Sequence, residues 1–366
     1  MTTAATTGTK TFVWFSVALV VLCVSVFPAL GGYDAVVPGR AIEFPKDRGA
    51  HPGHRIEWWY VTGQLHPKSD PGRTLGFQVT FFRVRNPDAE SNPSRFAPKQ
   101  ILFAHAALAD PRAGRLRHGQ RSARLLEGLV EAQAGETRVR LDDWTLVREQ
   151  DAYRTRVIGE EFELDLALVP TQPPMLQGDR GFSRKGPSSV HASYYYSEPH
   201  LRVVGRVAGG AERLEVEGVA WLDHEWSSEM LAGDAVGWDW LGANLDDGGA
   251  MMAFRIRSKD GSTLWANATL RAAGGATTTL APDAVAFTPL RTWRSPRTGI
   301  SYPVAMDVRV GARRWRLEPL LDDQELDARS STGVMYWEGA VGLTATDGAR
   351  GQGYLELTGY GERVPF

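Results

Sequence analysis

Trp221-Leu222-Asp223-His224-Glu225-Trp226 places three ionisable side chains between two tryptophans, in a segment that otherwise reads as buried β-strand. Strand side chains alternate faces, so Trp221, Asp223 and Glu225 share one face and Leu222, His224 and Trp226 the other. A charge on the inward face of a strand is costly unless it is paired or protonated. Whichever face looks inward, an acid or a histidine is held among indole rings. The structural alternative for Asp223 and His224 is a buried pair that fixes its strand against the core.

Other reactive patterns are absent. The chain has no Gly-x-Ser-x-Gly elbow, no phosphate-binding glycine loop and no dinucleotide fingerprint. His224-Glu225 is followed by Trp226, Ser227 and Ser228 rather than by a second histidine one helical turn on, and its context is a strand, so no metal is expected there. His51 and His54 flank Pro52-Gly53, a turn expected to face solvent. Trp58, Trp238 and Trp240 read singly as packed core. Jointly they suit the walls of a barrel that encloses an apolar ligand. His191, Tyr194 and Tyr196 precede the hairpin that carries Asp223, and are candidates to position water or line a pocket.

The elements that must position these groups are strands. Twelve tryptophans, 39 glycines and 21 prolines in 366 residues point to many short strands and turns, an all-β chain with two domains. Strand patterns occupy residues 56–65, 75–84, 101–108, 138–141, 153–158 and 162–169. Residues 121–134 fit a helix or a pair of strands equally. Residues 170–187 read as a loop. Gly209-Gly210 marks a hairpin turn between strands at 201–207 and 213–226.

The chain then starts again. Gly237-Trp238-Asp239-Trp240-Leu241-Gly242-Ala243-Asn244-Leu245 echoes Glu57-Trp58-Trp59-Tyr60-Val61-Thr62-Gly63-Gln64-Leu65, and further strands follow each copy in the same order. Two consecutive antiparallel barrels, divided near residue 230, are the expectation.

The first thirty residues are a separate object. Lys10 precedes an almost wholly apolar run at 11–30, as in a secretory signal or a membrane anchor, so residues 1–32 are assigned to export or anchoring. Cys23, the single cysteine, lies within it behind Leu22, a poor context for lipidation. The remaining chain has no thiol for a disulfide or for catalysis. A formal net charge of −2 gives no reason to expect nucleic acid as a partner.

Three longer motifs resemble the carotenoid 1,2-hydratase and AttH-like superfamily: Phe44-Pro45-Lys46-Asp47-x-Gly49-x-His51-Pro52, Glu57-Trp58-Trp59-Tyr60-Val61-Thr62-Gly63 and the hexapeptide at 221–226, with Gly237-Trp238-Asp239-Trp240 fitting as well. The resemblance covers residues 41–366. It implies two lipocalin-like barrels, 41–230 and 231–366, in an exported or anchored extracytoplasmic protein. It further implies cofactor-independent addition of water to a C=C bond of a long apolar molecule, isoprenoid or lipid. An acid must then protonate an alkene near neutral pH, which burial permits by raising an aspartate above its usual value of about 3.9. The resemblance carries that role to Asp223. Ser193 stands where a hydratase is expected to have an aromatic residue. The alternatives are a non-enzymatic lipophilic-ligand carrier or accessory component working with an ABC transporter permease, and a secreted hydrolase.

Overall fold

The computed structural model describes Met1 and residues 32–364. The apolar run at 11–30, with its expected signal or anchor and Cys23, lies outside the described residues. Among those described, no helix is long and apolar enough to cross a membrane.

Two antiparallel sheets of thirteen and ten strands make up the described residues, an all-β, tandem lipocalin-like architecture. In the first, Ile56–Pro67 is central, pairing on one side with Leu75–Arg85 and on the other with Glu212–Ser227. The latter is the second arm of the hairpin begun by Ala192–Gly209, and Gly210 adopts the positive φ of 62° that its tight turn needs. The sheet curls until its far strands meet through side chains. A Cβ added at Gly119 would lie 3.3 Å from the Trp144 ring, and Arg121 pairs with Asp143. Trp59, Leu222 and Trp226 belong to the enclosed apolar core.

The second sheet repeats this plan. Ala235–Leu245 is central and pairs with Ala250–Ser258 and with the last strand, Arg350–Thr358. The repeat seen in the sequence is therefore an approximate two-fold relation. Equivalent amides clasp the two sheets reciprocally: Gln64 Nε2 donates to the Val341 carbonyl at 2.9 Å, and Asn244 Nδ2 to the Ala220 carbonyl at 3.2 Å.

Of the two readings of residues 121–134 the strands hold, as the end of Leu116–Arg124 and the short Val130–Ala132. Other elements differ from expectation. The expected loop at 170–187 contains two short strands, Met175–Leu176 and Phe182–Arg184, which pair with Ala192–Gly209 despite the surrounding prolines and glycines. The His51–His54 turn is not solvent-facing. His54 is 7% exposed, and His51 is held between Glu57 and Asp47.

Candidate active site

The cavity that collects the acidic residues is not inside a barrel. It lies between the outward faces of the two sheets and has a volume of about 480 Å³. Trp58, Tyr60, Asp223 and Glu225 come from the first sheet; Trp238, Trp240, Phe254, Glu338 and Glu356 from the second. This placement has a simple cause. With Leu222, His224 and Trp226 turned into the first barrel, strand alternation sends Trp221, Asp223 and Glu225 outward, where the second sheet covers them.

Asp223 is 2% exposed. Its Oδ1 accepts from Ser197 Oγ at 2.5 Å and from Trp221 Nε1 at 2.7 Å, and its Oδ2 accepts from the Tyr195 hydroxyl at 2.6 Å. The Tyr195 oxygen in turn accepts from Trp240 Nε1 at 3.0 Å, tying the site to the second sheet. Burial pushes the carboxyl up to about 7, against the three hydrogen bonds that favour its anion, with Glu225 adding to the rise.

Glu225 is paired: Lys185 Nζ lies 2.8 Å from its Oε1, and Ser193 Oγ donates to the same oxygen. The ammonium also sits 4.3 Å from the centre of the Phe254 ring and 4.7 Å from that of Tyr195. Across the cavity, Glu338 and Glu356 face each other on neighbouring strands. Burial raises both, Glu338 well above the ordinary range under the added charge of Glu356, and Glu356 to about 7 against a hydrogen bond from Trp238. The Tyr60 hydroxyl lies close enough to Glu338 to favour its anion, against the rise from burial, although it makes no hydrogen bond of normal geometry. Asp223 pairs opposite Tyr60, and Glu356 opposite Trp240, so the two-fold relation places the two acids at equivalent positions.

A third polar group lines the cavity around His105, which burial lowers to about 3 and thus keeps neutral. Its Nδ1 lies 2.6 Å from the Tyr336 hydroxyl and its Nε2 2.8 Å from Ser331 Oγ. Gln120 donates its amide N–H to the Asp327 carbonyl, so its oxygen receives the Ser331 proton. Nε2–H therefore donates to Ser331. A serine nucleophile needs the opposite direction.

Of the residues singled out from sequence, Trp58, Asp223, Trp238 and Trp240 meet in this cavity, and Trp221 supports Asp223. His224, Trp226, Tyr194 and Tyr196 do not: they pack on the opposite face, inside the first barrel, where His224 Nδ1 meets the Tyr196 hydroxyl at 3.1 Å. His191 lies against Gly186 and its carbonyl accepts from the Lys185 backbone N–H at 2.7 Å, but it does not itself line the cavity. Sequence reasoning missed Tyr195, Ser197, Lys185, Glu338 and Glu356. The hairpin register pairs Tyr195 with Glu225 and Ser197 with Asp223, which puts the odd-numbered residues on the cavity face.

Inside the first barrel the potential ligand atoms of His51, Glu57 and His224 lie within 4.8 Å of one another. The donor chemistry suits a polar brace better than a cation site. Glu57 Oε2 already holds the Arg83 guanidinium at 2.8 Å, and its Oε1 holds both histidines, at 2.7 and 2.9 Å. These contacts keep Glu57 well below the usual carboxylate range despite its burial.

The AttH-like family model matches residues 35–360. The structure is similar to that of a Nitrosomonas europaea protein assigned to AttH, with 55% identity and a TM-score of 0.83, covering 89% of this chain and 99% of that one. It is also similar in fold to kievitone hydratase from Nectria haematococca, at 14% identity and a TM-score of 0.67, covering 89% of this chain and 95% of that one. CghA gives 15% identity and a TM-score of 0.52 over 91% and 95% of the two chains. None of the curated proteins matches.

Proposed function

The chain belongs to the AttH-like family, and on that premise we propose that it binds a long apolar molecule, isoprenoid or lipid, between its two sheets and adds water to one of its C=C bonds on the extracytoplasmic side. One observation carries the reading: Asp223 is buried at the wall of an aromatic cavity and holds its proton up to about pH 7. The hydratase-type fold shared with kievitone hydratase is consistent with it.

The protonated Asp223 gives its proton to one alkene carbon, using the π electrons for the new C–H bond and leaving a carbocation at the other carbon. Trp58, Tyr60 and Trp240 offer that cation their aromatic rings, each worth up to roughly 2 kcal/mol when desolvated, whereas Phe254 already carries the Lys185 ammonium. Water attacks the cation and loses a proton to Glu356. Passage of that proton back to Asp223 restores both acids, and the net reaction is addition of one water. Glu338 faces Glu356 across the neighbouring strand, and burial raises both, so the pair shares a proton and Glu356, nearer the Asp223 side, is the member offered as the base.

The test is incubation of the purified full-length protein with acyclic carotenoids and related terpenes. Hydrated product is expected, with a loss of at least about 100-fold in Asp223→Asn while binding persists. Tight binding without turnover, indifferent to that substitution, would replace the hydratase by a carrier.

A further inference from the structure

The cavity has a deep end and a mouth. Tyr60, Thr80, Asp223 and His105 are buried, whereas Trp58, Phe82, Val84 and Phe103 are half-buried and Arg55 and Glu229 are exposed. The mouth therefore opens at the Ile56 end of the first sheet. Register defines what else lies there: Ile56 pairs with Val84 and Ser227, Val84 with Ile101, and Ile101 with Arg124. The loops at 86–99 and 125–129 and the start of the Ala192–Gly209 strand accordingly belong to the same rim.

That rim gathers exposed apolar side chains. Phe96 (58% exposed), Val190 (55%), Leu129 (49%) and Leu126 (40%) all belong to it, whereas Leu290 lies on the other sheet. Arg95 and Arg124 flank the Phe96 ring at 5.0 and 5.2 Å, a basic and aromatic pairing suited to a headgroup layer. The chain also enters the described structure here. The Gly32 carbonyl accepts from Arg85 Nη1 at 3.1 Å, and the Asp34 carbonyl from Ser228 Oγ at 2.6 Å. Gly32 follows the apolar run at 11–30 by two residues, a reach of roughly 7 Å at most.

We infer that this rim rests on a lipid bilayer, with Phe96, Leu126, Leu129 and Val190 in the interfacial layer and the cavity mouth turned toward the lipid, so that an apolar ligand passes from the bilayer into the cavity. Contact of the rim with lipid is independent of turnover at Asp223; only the delivery of substrate rests on the hydratase reading.

Single cysteines at these positions test it in the full chain. In a Cys23→Ser background, Phe96→Cys, Leu129→Cys and Val190→Cys carry an environment-sensitive nitrobenzoxadiazole label, with Leu290→Cys as the control, and each protein is reconstituted into phosphatidylcholine vesicles. The expected result is blue-shifted emission at 96, 129 and 190 that doxyl-labelled lipid quenches, and an unshifted, unquenched signal at 290. Absence of quenching at the three rim sites, or equal quenching at 290, overturns the proposal. Because the reading is spectroscopic, it stands or falls separately from any failure to detect hydrated product.

Discussion

Asp223 and Glu356 titrate in the same range yet are needed in opposite states, which sets the pH behaviour of the site. Activity requires the first protonated and the second ionised. The profile of kcat/KM should therefore be bell-shaped and narrow about pH 7, with apparent values that belong to the pair rather than to either residue. Glu356→Gln should lower the rate and abolish the acidic limb; an unchanged acidic limb would remove Glu356 from the mechanism. The raised Asp223 also has a stability sign. Between its ordinary value of 3.8 and about 7 the folded state holds a proton that the unfolded chain releases, so stability falls as pH rises through that window and levels off above it. Asp223→Asn removes the buried charge. Denaturant titrations should find the variant more stable than the parent at pH 8, by up to about 4 kcal/mol, with the gain shrinking toward pH 4. A gain that does not vary with pH would contradict the buried-anion account.

At the scale of elements, Ile56–Pro67, Glu212–Ser227 and their counterparts in the second sheet are legible because alternation and aromatic content are local properties. The two faces of the 221–226 stretch are legible for the same reason. Which neighbouring tyrosine joins Asp223 is not. Tyr194, Tyr195 and Tyr196 differ only in parity, and parity is set by the register that pairs Tyr195 with Glu225. Lys185 was hidden differently, in a segment rich in glycine and proline that gains its short strand only by pairing with Ala192–Gly209. The contact between the sheets makes its own demand. A Cβ at Gly76 would lie 2.7 Å from that of Ala340, so Gly76→Val must push the sheets apart. We expect a loss of about 1–3 kcal/mol and weakened ligand binding from a residue that does not line the cavity. Equal stability to the parent in chemical denaturation would show that the contact is looser than this geometry requires.

For the whole molecule, the two-fold relation builds one site from two incomplete halves. Tyr60, Trp221, Trp240 and Tyr354 form a core shared by both sheets, and Tyr195 links Asp223 to Trp240. Calorimetry should accordingly give a single cooperative unfolding transition despite two sheets; two resolved transitions would show that they fold as separate units. The chain alone determined that strands dominate, that a β-unit recurs after residue 230 and that an acid or a histidine lies among indoles, since each is written in local pattern and composition. Only the tertiary structure decided that the acid faces a cavity between the sheets rather than within one. That choice depends on which side of a strand a second, distant sheet covers, and the partners that complete the site, Glu338 and Glu356, lie more than a hundred residues away on that sheet.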